Sequence, residues 1–298
     1  MAVGWFRKGL AALGLIAAGG MAAEAKVPAA PRPALWKVAD RDTTVYLFGT
    51  IHLLPRGFSW RSAVLDRAAR EAQGLVVETI VDPANPAPLA EAMMRLGVSP
   101  GLQPVMQRVP AAKRPALASA IAKSGAQPAA LDRLETWAVA LALLGPQFSA
   151  MGLQQDEGVE MALKRDFTAA GKPIGQLETN AEQLGFFDVL PESAQRKLLE
   201  GAIERPEEVR GQFDSMLAAW ARGDVRAIAR TFNADMSGSP EMGELLLKRR
   251  NENWTRWIEG RLQQPGSVLV AVGAGHLAGP DSVQAMLEKR GFKVTRVQ

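Results

Sequence analysis

Two stretches decide the fold: Thr44-Val45-Tyr46-Leu47-Phe48-Gly49-Thr50-Ile51-His52, and Ser267-Val268-Leu269-Val270-Ala271-Val272-Gly273-Ala274-Gly275-His276. Each is an apolar β-type run that ends in Gly-x-x-His. The first continues into a Pro-containing loop, a helical stretch from Ser62 to Ala72 and a strand from Leu75 to Glu78. The second continues into a loop with Gly279-Pro280, a helical stretch from Asp281 to Arg290 and a strand from Phe292 to Val297. Strand–GxxH–loop–helix–strand, written twice, is the grammar of a parallel βαβ unit. In such sheets ligands sit beyond the carboxyl ends of the strands, and both histidines fall there.

Those are the only two histidines among 298 residues, and there is no cysteine. The absence of cysteine excludes disulfide frameworks, thiolate nucleophiles, Cys-ligated zinc and iron–sulfur clusters, so any metal must take nitrogen and oxygen ligands. Glycine supplies 28 of the 298 residues. By chance both histidines would follow a glycine at the third position back only about once in a hundred, which favours a shared role over coincidence. The net charge of +4 is a weak field, and no dense Lys/Arg run is interleaved with aromatics. Nucleic-acid binding is therefore not expected.

At the N-terminus Arg7 and Lys8 precede an uncharged apolar run from Leu10 to Ala22, and Ala23-Glu24-Ala25 completes an A-x-A cleavage pattern. This predicts a signal peptide over residues 1–25, then a Pro/Ala leader over 26–34, and an exported protein, periplasmic or secreted. No later stretch predicts a transmembrane span.

The remaining chain, 35–298, reads as a single α/β domain. Leu35 to Val38 and Thr44 to Phe48 flank a polar turn and predict a hairpin. Gly74 to Glu78, Pro173 to Leu177, Ser267 to Val272 and Phe292 to Val297 read as further strands. Two large helical insertions, near 82–171 and 191–262, separate them, with no strand expected between Val81 and Gly171 and a helix break at Gly145-Pro146. The expectation is a small mixed sheet of two related strand–GxxH–helix–strand halves carrying those insertions.

Two carboxylates hold similar positions, Glu78 at the end of GLVVE and Glu178 at the end of PIGQLE. With His52 and His276 they make four polar groups at strand ends. Such a set matches a divalent-metal site with an open water position, and equally a metal-free base with its orienting acid. Asp156, Glu160 and Lys164 share a helix face, where Glu160 and Lys164 read as an ordinary i,i+4 ion pair.

These motifs resemble the TraB/GumN family, to which the animal Tiki proteins belong. The resemblance runs from about Leu35 to the C-terminus on LWKV, VYLFGTIH, VVET, GKPIGQLET with Glu182-Gln183, Phe187-Asp188, RNENW and VAVGAGHL. It implies the erythromycin-esterase-like and ChaN-like fold of two related halves. It also implies a metalloprotease centre at His52, Glu78 and His276, with Glu178 in the LET motif. Arg250 and Asn251 of RNENW match as well; an arginine there could bind a substrate carboxylate or an oxyanion, or form a surface salt bridge with Glu252 beside Trp254.

The function expected is an exported metal-dependent hydrolase acting on a peptide or small-molecule substrate. A divalent ion (Zn, Mn or Co) would be held by His52, His276 and either Glu78 or Glu178. Two alternatives remain: a metal-free esterase-like centre with His52 as base oriented by Glu78, and a non-catalytic protein that sequesters a peptide or signal.

Overall fold

Runs of β-branched and aliphatic residues with no polar alternation form strands that must be covered on both faces. The computed structural model describes residues 31–298, apart from 83 and 238, and shows this arrangement. Its strands are β1 (Leu35–Ala39), β2 (Thr43–Thr50), β3 (Leu54–Pro55), β4 (Gly74–Val77), β5 (Leu153–Gln154), β6 (Ile174–Gln176), β7 (Gly266–Gly273) and β8 (Val294–Arg296). Six make one mixed sheet in the order β6-β4-β7-β2-β1-β8. The predicted hairpin is β1–β2, with Asp40 accepting from the backbone of Asp42 and Thr43 in its turn.

β2 and β7 pair in parallel along their whole length, Thr43 opposite Gly266 through Thr50 opposite Gly273. β4 pairs in parallel with β7 on one side and with β6 on the other. The two repeated halves thus interleave. β7 lies between β2 and β4 of the first half, and β8 crosses to the far edge, antiparallel to β1. The parallel register brings the carboxyl ends of β2, β7, β4 and β6 side by side.

Alternation along each strand sends residues to two cores. Tyr46, Phe48, Leu75, Val77, Leu269 and Ala271 join one cluster, with Leu65 and Ala68 of the helix Ala63–Glu71 and much of the helical insertions. Val45, Leu47, Val76, Val268, Val270 and Val272 join the other, against Trp254 and Ile258 of the helix Arg249–Arg261 and Val283 and Leu287 of the helix Val283–Lys289. Helices on both faces of a mostly parallel sheet make a three-layer α/β domain. Ser62 caps the helix Ala63–Glu71 by accepting from the Leu65 amide, which fixes where that helix leaves the loop.

Two local expectations differ from the structure. The segment between 81 and 171 contains a short strand, β5, whose two residues pair antiparallel with β3 beside the first GxxH motif. Two residues are too few to leave a periodic signal. Gly145-Pro146 does not end its helix: Thr136–Ala150 is continuous with Pro146 inside, its apolar surface buried. Tertiary burial outweighs a proline's roughly 3 kcal/mol penalty there. The expected signal peptide (1–25) and most of the leader (26–34) lie outside the described residues. No helix among the described residues is long and apolar enough to cross a membrane.

Tyr46, the only tyrosine, reports on the packing of helix Ala63–Glu71 against the sheet. Its hydroxyl donates to Glu71 Oε2 at 2.5 Å. Burial, together with that bond and the Glu71 charge, pushes the phenol up from 10.0 to about 12. A raised pKa means that the folded chain holds the proton more tightly than the unfolded one. Its contribution to stability is complete below about pH 10 and is lost as the pH rises through about 12. A tyrosinate absorbance titration should give one midpoint near 12, falling toward 10 in Glu71→Gln; a wild-type midpoint at 10 would contradict this packing.

Candidate active site

Beyond the four parallel strand ends the chain places its polar groups in one buried cluster. Glu78 directly follows β4, Glu178 lies two residues past β6, and His52 and His276 lie two and three residues past β2 and β7. All four are buried. The strand-end glycines serve packing more than turning. A Cβ on Gly49 would stand 3.1 Å from the Ala274 backbone, so glycine lets the two GxxH motifs touch. Gly273 has an ordinary φ of −50° and donates its N–H to Glu78 Oε1 at 2.6 Å. Trp220, from the helix Pro206–Ala221, donates to the Gly49 carbonyl at 2.8 Å and braces the first motif from the insertion side.

Arg250 sits at the centre. Its helix Arg249–Arg261 is entered through a π-turn, Gly243–Lys248, an irregularity that recurs at functional sites. Nε and Nη2 donate to Glu178 at 2.9–3.1 Å, Nη2 also reaches Glu78 Oε2 at 2.7 Å, and Nη1 lies 3.2 Å from His276 Nε2. Trp254 Nε1 donates to Glu178 Oε1 at 2.9 Å, while the Arg250 guanidinium lies over the Trp254 ring. Burial opposes the Arg250 charge, but Glu178 and Glu78 more than offset it and hold the group firmly protonated. The surface salt bridge with Glu252 is thus not formed by this side chain, which is 1% exposed.

The two histidines sit in opposite environments. His276 Nδ1 lies 2.7 Å from Asn251 Oδ1, and the Asn251 amide donates to the Asp281 carbonyl at 2.7 Å. That orientation of Asn251 makes its Oδ1 an acceptor, so His276 carries its proton on Nδ1 and turns the Nε2 lone pair inward. Burial, then the charges of Arg250 and His52, push the His276 pKa well down, so the ring is neutral. His52 is bonded through Nδ1 to Glu160 Oε1 at 2.6 Å. Burial pulls its pKa down, but Glu160 and then Glu78 outweigh that, and the net shift is upward. His52 Nε2 is buried without a hydrogen-bond partner. It lies 3.9 Å from Glu78 Oε1, the same distance that separates this oxygen from His276 Nε2.

Two imidazole nitrogens thus flank one carboxylate oxygen. Ligands bound at about 2.0–2.2 Å around a tetrahedral ion stand about 3.4 Å apart, somewhat closer than these separations. Among the described residues no group of three His, Asp or Glu side chains is drawn tightly enough to hold an ion as it stands. The donors are nevertheless of the right kind. Each imidazole is oriented through its other nitrogen, as metal-bound histidines are. Of the two glutamates, Glu78 faces both rings, whereas the Glu178 oxygens are taken by Arg250 and Trp254.

A narrow cleft, open to solvent, leads to this cluster past His52, Glu78, Thr79, Val81, Glu160 and Lys164. Gln183 also lines it, donating to Glu78 Oε2 at 3.3 Å. Its helix Asn180–Asp188 is set by a capping box between Thr179 and Glu182 directly after Glu178. Sequence reasoning missed Glu160. The i,i+4 spacing to Lys164 suggested a plain ion pair, but Glu160 turns to His52 and Thr50 while Lys164 Nζ donates to the Val81 carbonyl at 2.7 Å. A carboxylate two residues after Gly158, in the first turn of a helix, was the signal available.

Among curated proteins, the chain is similar to the uncharacterized protein YbaP of Escherichia coli, 23% identical over 242 residues that cover 81% of this chain and 87% of YbaP. YbaP of Shigella flexneri matches to the same extent. No solved structure matches significantly. The TraB/PrgY/gumN family profile matches residues 34–296, which takes in every strand of the sheet and every residue of the cluster described above. This chain therefore belongs to the TraB/PrgY/gumN family.

Proposed function

We propose that the protein is an exported metal-dependent hydrolase whose substrate, a peptide, enters the cleft over His52 and Glu78. One observation carries the reading: His52 Nε2, buried and without a hydrogen-bond partner, points to the carboxylate oxygen that His276 Nε2 also faces. A nitrogen left unpaired in the interior costs about 1–3 kcal/mol, which argues for a ligand or substrate as its partner. His52, Glu78 and His276 would hold a divalent ion of the Zn, Mn or Co type, which supplies Lewis acidity and an activated water.

The other residues have distinct tasks. Asn251 keeps the His276 lone pair turned inward. Gly273 N–H and Arg250 fix the Glu78 carboxylate, and Arg250 sets a positive charge beside the point where an oxyanion would form. Glu178 and Trp254 hold Arg250. A second reading, metal-free, takes His52 Nε2 as the base. It is favoured by the position of Arg250, whose guanidinium already stands against Glu78 and His276. In that reading the acid that orients His52 is Glu160 rather than Glu78, because Glu160 makes the bond to Nδ1.

Metal analysis of the purified protein should find about one divalent ion per chain, and chelation should abolish hydrolysis of a peptide library. His52→Ala and Glu78→Gln should each lower turnover about 10²-fold or more. Turnover that survives chelation in protein without stoichiometric metal would select the metal-free reading. Tight peptide binding with no turnover in any metal would select the sequestering one.

Arg250 predicts a stability effect separate from turnover. Arg250→Met leaves Glu78 and Glu178 buried without their cation, and the expected loss is about 3–5 kcal/mol of unfolding free energy. Urea unfolding monitored by tryptophan fluorescence measures it. A loss below about 1 kcal/mol, the range of an exposed pair, would show that the cluster is solvated in solution.

A further inference from the structure

We propose that Glu160 is the positioning residue for His52: it holds the imidazole proton on Nδ1 and so directs the Nε2 lone pair into the centre. The proposal rests on the reading above only in taking Nε2 of His52 as the working atom, and it holds whether that atom binds a metal or a proton. Glu160 Oε1 accepts from His52 Nδ1 at 2.6 Å and also from the Thr50 hydroxyl. Thr50 belongs to the same GTIH motif, so one carboxylate oxygen is gripped by two residues of that motif.

The backbone is built for this contact. The helix Val159–Ala169 begins directly against the motif, with the Val159 amide donating to the Ile51 carbonyl at 3.1 Å. Gly158 caps the helix, and a Cβ there would fall 2.0 Å from the His52 carbonyl oxygen, an impossible contact. Only glycine allows the helix to start so close, and the second residue of its first turn is Glu160. A carboxylate in the first turn is also favoured by the helix dipole. Lys164, one turn on, donates its ammonium to the Val81 carbonyl and acts on Glu160 through its charge. Carboxylate–histidine pairs of this form fix tautomer and ring orientation in metal centres and in acid–base centres alike.

Because the chain has only two histidines, the test is direct. Protein labelled with ¹⁵N-histidine gives two ring systems, and the His52 signals are those absent from His52→Gln. At alkaline pH, where the ring is neutral, the wild type should show the proton on Nδ1 of His52, with a strongly downfield N–H. Glu160→Ala should shift His52 toward the Nε2–H tautomer that a free histidine side chain prefers. Glu160→Gln, which conserves shape, should move the Nδ1–H resonance upfield by removing the charge from its acceptor. Metal titration should show a 10–100-fold loss of affinity in Glu160→Ala. An Nε2–H tautomer in the wild type, or unchanged His52 resonances in both folded variants, would overturn the proposal. If Glu160→Ala does not fold by circular dichroism, the Gln variant decides alone. A wild type that binds no metal would end the metal reading and leave the tautomer result to judge Glu160.

Discussion

A guanidinium cannot be buried among aliphatic side chains unless its charge is matched, and Arg250 meets that demand with two carboxylates from two different strands. This ion triad ties the helix Arg249–Arg261 to the ends of β4 and β6. Through the contacts of Nη1 and Asn251 with His276 it ties the same helix to the end of β7. The positions of Glu78, Glu178 and His276 are therefore not independent. Removing the cation would release all three, because each owes part of its orientation to the same helix.

The cluster also shows how a repeated motif acquires two chemistries. Both histidines follow a strand and a glycine, yet one is bonded to a carboxylate and the other to an arginine and an amide. His52 is drawn toward the protonated form and His276 is held neutral. Groups of one type whose surroundings push their pKa values apart are the usual basis for dividing roles within a centre. The repeat supplies two imidazoles at the sheet edge, and the helical insertions make them different: Glu160 arrives from the first insertion, Arg250 and Asn251 from the second.

Much of this was legible in the sequence because the relevant signals are local. Strands covered on both faces read as unbroken apolar runs, and His52, Glu78, Glu178 and His276 were found by their place at the ends of such runs. Signals that depend on distant packing were not legible. β5 has two residues and no periodicity, and Pro146 is tolerated because its helix is buried. Glu160 looked like half of a helical ion pair, since the i,i+4 pattern is the same whether or not a carboxylate turns to a histidine over 100 residues away. The family resemblance pointed to Arg250 and Asn251 but not to their tasks. A salt bridge to Glu252 and a substrate contact were both open, and burial between two glutamates is a property of the fold.

The sequence by itself determined an α/β sheet with two GxxH strand ends, a nitrogen–oxygen donor set without sulfur, and membership of the polar residues in one region, because hydrophobic period and residue chemistry are read along the chain. The tertiary structure alone decided that β7 inserts between β2 and β4, so that strands far apart in sequence end side by side. It alone decided which carboxylate meets which imidazole. Hydrogen bonding and desolvation act through space over a few ångströms, and distance along the chain does not report them.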